Sequence, residues 1–227
     1  MKRLATTMAA ALMLACPAGF AQSDASATGT PEQSQASPSA IEFALAGFHI
    51  NILENSDGGA VSVTGPEGQT ALMAFIDPAA GEAALAAVED QEVSVAPVPL
   101  AMIMQNWDGP IVFESSQAEI DSAASLVEED VTFLAPVFFV TTDGKETRMK
   151  TPEGMIVPIL PSFADAETMA ARLAENGIEE SKIDIVPIEL AAVLQQISTP
   201  EAPVGYRVYT HPGTVDKIEA AAPKEQN

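Results

Sequence analysis

Two histidines and one cysteine are the side chains of this 227-residue chain best suited to nucleophilic, general-base or metal chemistry. His49 lies in an alternating apolar stretch with Phe48, Ile50 and Ile52, and His211 precedes Pro212 in a turn. Neither sits in a paired spacing such as His-Glu-x-x-His, and a catalytic zinc site usually takes three protein ligands. Both read as core or surface imidazoles, and no metal site is expected. The Gly-x-Ser-x-Gly elbow of a serine hydrolase and the Gly-rich loops that cradle phosphate are absent from the sequence. Carboxylates are what is left. The run Glu128-Glu129-Asp130 and the pair Glu179-Glu180 could be drawn as an acid and base, or as calcium ligands. Adjacent carboxylates in a loop more commonly form a solvated face, and the spaced Asp-x-Asp-x-Asp-Gly calcium loop does not occur. No catalytic residue and no cofactor are expected. The remaining enzyme reading is a hydrolase built from Asp and Glu alone, as a glycosidase can be. With 5% aromatic residues there is little to stack on sugar rings.

The apolar residues that helical periodicity does not explain say more. Met102 lies off the face formed by Leu100, Ile103, Met104 and Trp107. Phe163 stands at a helix entrance, and Met149 and Met155 flank the turn Pro152-Glu153-Gly154. Flexible thioethers suit surfaces that accept many sequences. Met102, Phe163, Met149, Met155 and Trp107 are therefore the candidate client-binding residues. The plainer alternative has them fill gaps in the core, with Phe163 packing at its helix entrance as a hydrophobic staple.

The elements that position these residues lie behind an export signal. Lys2 and Arg3 precede an apolar run to Cys16, and Gly19-Phe20-Ala21 offers small residues for cleavage, which is the order of a secretory signal peptide. The run is too short to span a membrane, and nothing later is long enough. Cys16 could alternatively carry a lipid, although Met13-Leu14-Ala15 is a poor lipobox. Cleavage after Ala21 leaves a chain without any thiol, hence without disulfides. The expected divisions are a signal peptide (1–21), a disordered linker (22–40), an N-terminal element plus first repeat (41–131), a second repeat (132–222) and a disordered tail (223–227). The linker is Ser, Thr, Ala, Gln and Pro with almost no apolar bulk.

Charge narrows the partners. Against 10 Lys and Arg stand 32 Asp and Glu, a formal charge of −22, and the hydrophobic fraction is 47%. Such a chain repels phosphate backbones and anionic lipids, which excludes a nucleic-acid binder or a membrane protein held by charge.

Two stretches repeat at a constant spacing. Val93 to Trp107 and Ile183 to Ile197 each run from alternating apolar residues through a Pro (Pro97, Pro187) into a helical pattern. Leu100, Ile103, Met104 and Trp107 on the first helix match Leu190, Val193, Leu194 and Ile197 on the second. Upstream, a strand at Leu72–Ile76 leads to a helix capped by Asp77 with Pro78 first. Its counterpart is Ile156–Leu160 followed by Ser162 and Asp165 in capping spacing. Downstream, Pro110–Phe113 and a helix capped by Ser116 with Glu119 match Arg207–Tyr209 and a helix through Val215 and Ile218. The leading hairpins, Val61–Val63 and Val137–Val140, complete the pattern. The expected fold is mixed α/β, with two repeats of strand-strand-helix-strand-helix-strand-helix over about 60–130 and 134–221, packed about a pseudo-twofold axis.

On these residues the chain resembles the Tic twenty-two-like family, the intermembrane-space component of chloroplast protein import and its bacterial relatives. The likeness is carried by Ala135-Pro-Val-Phe-Phe-Val-Thr-Thr-Asp-Gly144, Val157-Pro-Ile-Leu-Pro-Ser162 with Asp165-Ala166, Ile185-Val-Pro-Ile-Glu-Leu190 and Tyr206-Arg-Val-Tyr209. It implies a two-copy α/β fold with apolar grooves, placed between two membranes. It also implies a chaperone-like role in protein translocation or outer-membrane biogenesis, with unfolded or translocating proteins and outer-membrane assembly machinery as partners. The bacterial-type signal departs from a chloroplast transit peptide, so the import-translocon role is not carried over, and a periplasmic location is expected. A structural or partner-specific envelope protein is the alternative.

Overall fold

The computed structural model describes residues 39–65, 68–88, 92–128, 131–199 and 205–222. The signal peptide, Cys16, most of the linker and the tail lie outside them. Ala40, expected to end the linker, already belongs to a helix. Ser39 caps α1 (Ala40–Leu45) in a full capping box with Glu42.

The first half continues with β1 (His49–Asn55), β2 (Ser62–Thr64), β3 (Thr70–Phe75), α2 (Pro78–Leu85), β4 (Val93–Pro99), α3 (Leu100–Asn106), β5 (Ile111–Glu114) and α4 (Gln117–Ser125). The second half holds β6 (Pro136–Thr142), β7 (Lys145–Glu146), β8 (Met149–Thr151), β9 (Gly154–Ile159) and α5 (Phe163–Glu175). After a 3-10 turn at Glu180–Lys182 come β10 (Ile183–Glu189), α6 (Leu190–Ile197), β11 (Tyr206–Val208) and α7 (Pro212–Ala221). The last helix ends at Ala221, inside the expected second repeat.

The same strand pairings occur in each half. β1 pairs antiparallel with β4 along its whole length, and β6 does so with β10. β3 runs parallel to β5, and β9 to β11. β2 and β8 form short hairpins with β3 and β9. By its pairing, β6 therefore takes the place of β1, not of the Val61–Val63 strand with which sequence order aligned it. The prolines fit this register. Leu100 donates its N–H to Phe48 O and Leu190 to Ala135 O, so even-numbered residues of β4 and β10 bond to the neighbouring strand. Odd positions face the free edge, where Pro97, Pro99 and Pro187 leave no ladder bond unmade.

One large core joins the halves. Ile50, Ile52 and Leu72 from the first sheet meet Val137, Phe139 and Ile159 from the second, with Leu45 of α1 and Leu190 of α6. On the outer face of β1 and β3, Leu53 and Phe75 pack under α2. On the outer face of β6, Phe138 and Val140 pack under α5. The terminal helices change sides. α4, which ends the first half, packs on β6 and α5, while α7, which ends the second, packs on β1 and β4.

Candidate functional site

Ser162 accepts a hydrogen bond from Asp165 N at 3.3 Å and so starts α5, which Asn176 and Gly177 (φ +90°) end. Ala166, Met169, Ala170 and Leu173 press the helix onto β6 and β10. At its first position the Phe163 ring lies 5.5 Å from the ring of Phe138, tilted by 55°. Its backbone N–H is donated to Glu119 Oε2 at 2.9 Å.

Small residues on α5 leave room beside the edge strand β10. Between Ala170, Ala171 and Ala174 on the helix and Ile183 and Ile185 on the strand lies an open groove of about 530 Å³. Phe163 and Leu126, just past α4, also line it. Its charged lining is three carboxylates, Glu167, Glu180 and Asp184. Among the described residues none of the three makes an ion pair or a side-chain hydrogen bond, whereas Lys182 is held by Glu179 at 3.2 Å. The arrangement can seat apolar side chains; nothing in it is placed for nucleophilic attack.

Of the five candidates, Phe163 alone lines this groove. Met102 is 47% exposed on α3, and Met104, expected on the buried face, is 44% exposed. Its counterpart Leu194 on α6 is only 9% exposed, so the matched helices differ at this one position, while Leu100, Ile103 and Trp107 face the same core as Leu190, Val193 and Ile197. Trp107 is no free surface residue. It packs against the central core and donates its indole N–H to Pro110 O at 3.1 Å. Met149 and Met155 are both exposed on the β8–β9 hairpin, but Met149 pairs with Ile156 and Met155 with Lys150, which puts them on opposite faces.

A second polar cluster lies where four helices begin. Asp77 Oδ1 accepts from Ala80 N to cap α2, and its Oδ2 accepts from Ser116 N at 2.8 Å, ahead of α4. The expected Ser116–Glu119 capping box does not form, because Ser116 makes no side-chain cap and Glu119 turns to Phe163 instead. His211 caps α7 by accepting from Gly213 N at 3.1 Å, and its Nε2 lies 3.6 Å from Glu119 Oε1. Burial pushes the Asp165 carboxyl up, with His211 opposing and Glu119 adding to the shift. Among the described residues no group of His, Asp and Glu is arranged to hold a metal ion.

The sequence matches no protein-family model and no curated protein. The structure does have counterparts. Tic22 from Anabaena, a protein of protein transport, superposes with a TM-score of 0.60 over 82% of this chain and 98% of its own, at 19% identity. Tic22 from Plasmodium falciparum gives 0.61 over 82% of this chain and 100% of its own, at 10% identity. The chain has the Tic22 fold. At these identities the likeness is one of architecture, which agrees with the resemblance read from the sequence. No helix of the described residues is long and apolar enough to cross a membrane.

Within the Tic22 fold, the groove residues Leu126, Ala170, Ala171, Ala174, Ile183 and Ile185 escaped sequence reasoning. One signal pointed to them: Ala170 and Ala174 stand one helical turn apart and face a strand whose Ile183 and Ile185 alternate with polar or exposed residues.

Proposed function

We propose that this protein is an exported, chaperone-like, non-catalytic protein-binding factor. It acts in the periplasm and holds apolar segments of client polypeptides during translocation or outer-membrane biogenesis. The observation that carries this reading is the apolar groove between α5 and β10, open to solvent beside Phe163. The naming of the Anabaena neighbour for protein transport supports it. So does the high net negative charge, which keeps a protein with apolar surface in solution while clients are bound.

The test is suppression of aggregation of a heat-labile client by the mature chain from Gln22. Ala171→Glu places a carboxylate in the groove at an exposed helix position and leaves the core untouched. Suppression at near-stoichiometric amounts that Ala171→Glu abolishes supports the reading. No suppression at large excess overturns it, and a partner-specific envelope protein then stands in its place.

A further inference from the structure

We propose that the α5–β10 groove selects cationic apolar segments, in which two or three bulky aliphatic or aromatic side chains are flanked by Lys or Arg. This rests on the client-holding reading above and names its substrate class. The floor supplied by Phe163, Ala170, Ile183 and Ile185 rewards apolar side chains, each by roughly 1.5–3 kcal/mol when fully buried. Glu167, Glu180 and Asp184 at its border are unpaired among the described residues, and no basic side chain lines the groove. These carboxylates are exposed and hydrated, so an acidic segment meets repulsion there, a neutral one gains nothing from them, and a cationic one is attracted.

The other occupants fit less well. Residues 22–38 of this chain contain no Val, Leu, Ile, Met or aromatic residue, and carry Asp24 and Glu32 with no Lys or Arg. A second copy brings another net charge of −22 to an acidic border.

The experiment measures fluorescence anisotropy of a labelled 12-residue Leu/Lys peptide and its Leu/Glu counterpart against the mature protein at low salt. The expected result is a preference of at least about tenfold for the Lys peptide, falling to about twofold in a Glu167→Gln, Glu180→Gln, Asp184→Asn variant. A control variant, Asp108→Asn, Asp216→Asn and Glu219→Gln, removes the same charge elsewhere and is expected to keep the preference. Equal loss in both variants overturns the proposal, because the preference is then only the overall charge. Equal binding of the two peptides, with aggregation still suppressed, overturns the cation selectivity and leaves the client-holding role standing. No peptide binding and no suppression removes both. A dimer in sedimentation that Ala171→Glu dissolves also overturns the proposal, since the groove is then filled by a second copy.

Discussion

Phe163 donates its backbone N–H to the Glu119 carboxylate at 2.9 Å, so a side chain of α4 supplies the acceptor for the first turn of α5. A helix start has N–H groups without intrahelical partners, and a carboxylate there also meets the positive end of the helix dipole. The bond crosses from the first half of the chain to the groove-bearing helix of the second.

Glu119→Ala leaves that donor without its partner in a part-buried site. The expected cost is about 1–3 kcal/mol of unfolding free energy, read from a lowered urea midpoint. Glu119→Gln keeps an acceptor oxygen and is expected to lose less than half as much. Equal losses for both variants contradict the assignment.

Asn51 and Thr214 are both wholly buried and joined by a 2.8 Å hydrogen bond from Asn51 Nδ2, which ties α7 to β1. Asn51 Oδ1 already has no partner among the described residues. Thr214→Val keeps the shape and removes the acceptor, with an expected cost of about 1–2 kcal/mol. A neutral result in thermal unfolding argues against the bond.

Burial pushes the Glu114 carboxyl above its usual range. A raised folded-state value means the native protein binds this proton more tightly than the unfolded chain does. The group then favours folding below its unfolded pKa, and that contribution is lost as pH rises through the folded value. Glu114→Gln is expected to raise the urea midpoint at pH 7 relative to wild type, and the gain shrinks as pH falls through the raised folded value and is gone below the ordinary Glu range. A variant less stable at pH 7 contradicts this.

Gly81 lies within α2, where replacing glycine by alanine ordinarily favours a helix by up to about 1 kcal/mol. Here an added Cβ would sit 2.9 Å from Val95 Cγ1 and 3.4 Å from Phe75. Overpacking typically costs about 1–3 kcal/mol, so Gly81→Ala is expected to destabilise. Gly81→Ala together with Val95→Ala relieves the clash and should recover part of the loss in denaturant unfolding.

Local patterns carried much of the fold. Asp77 with Pro78, and Ser162 three residues before Asp165, announced two helix starts. Pro97 and Pro187 marked edge strands, and Asp143-Gly144 forms the expected hairpin turn with both φ angles positive. Local pattern failed where distant partners intervene. Glu119 reads as its own helix's cap because the sequence does not display Phe163 beside it. Met104 and Leu194 occupy matched positions, yet burial differs because it depends on what covers each helix. The groove was hidden for a related reason: it is made by absent volume at Ala170, Ala171 and Ala174, and small residues look alike whether they permit close packing or leave space. Trp107, by contrast, is held by Pro110 and the central core, a tertiary environment that its position on a helix does not display.

On the export reading proposed above, the exchange of α4 and α7 bears on how the chain matures. A polypeptide threaded through a membrane N-terminus first delivers β1 and β4 long before Pro212–Ala221, the helix that packs on them, has emerged. The Asn51–Thr214 bond spans 163 residues, and contacts that distant slow the search for the native state. Until α7 arrives, Asn51 lacks its Thr214 partner and the part of β1 and β4 that α7 covers has no helix on it. On the client-holding reading proposed above, a factor that holds unfinished proteins is itself unfinished until Pro212–Ala221 arrives.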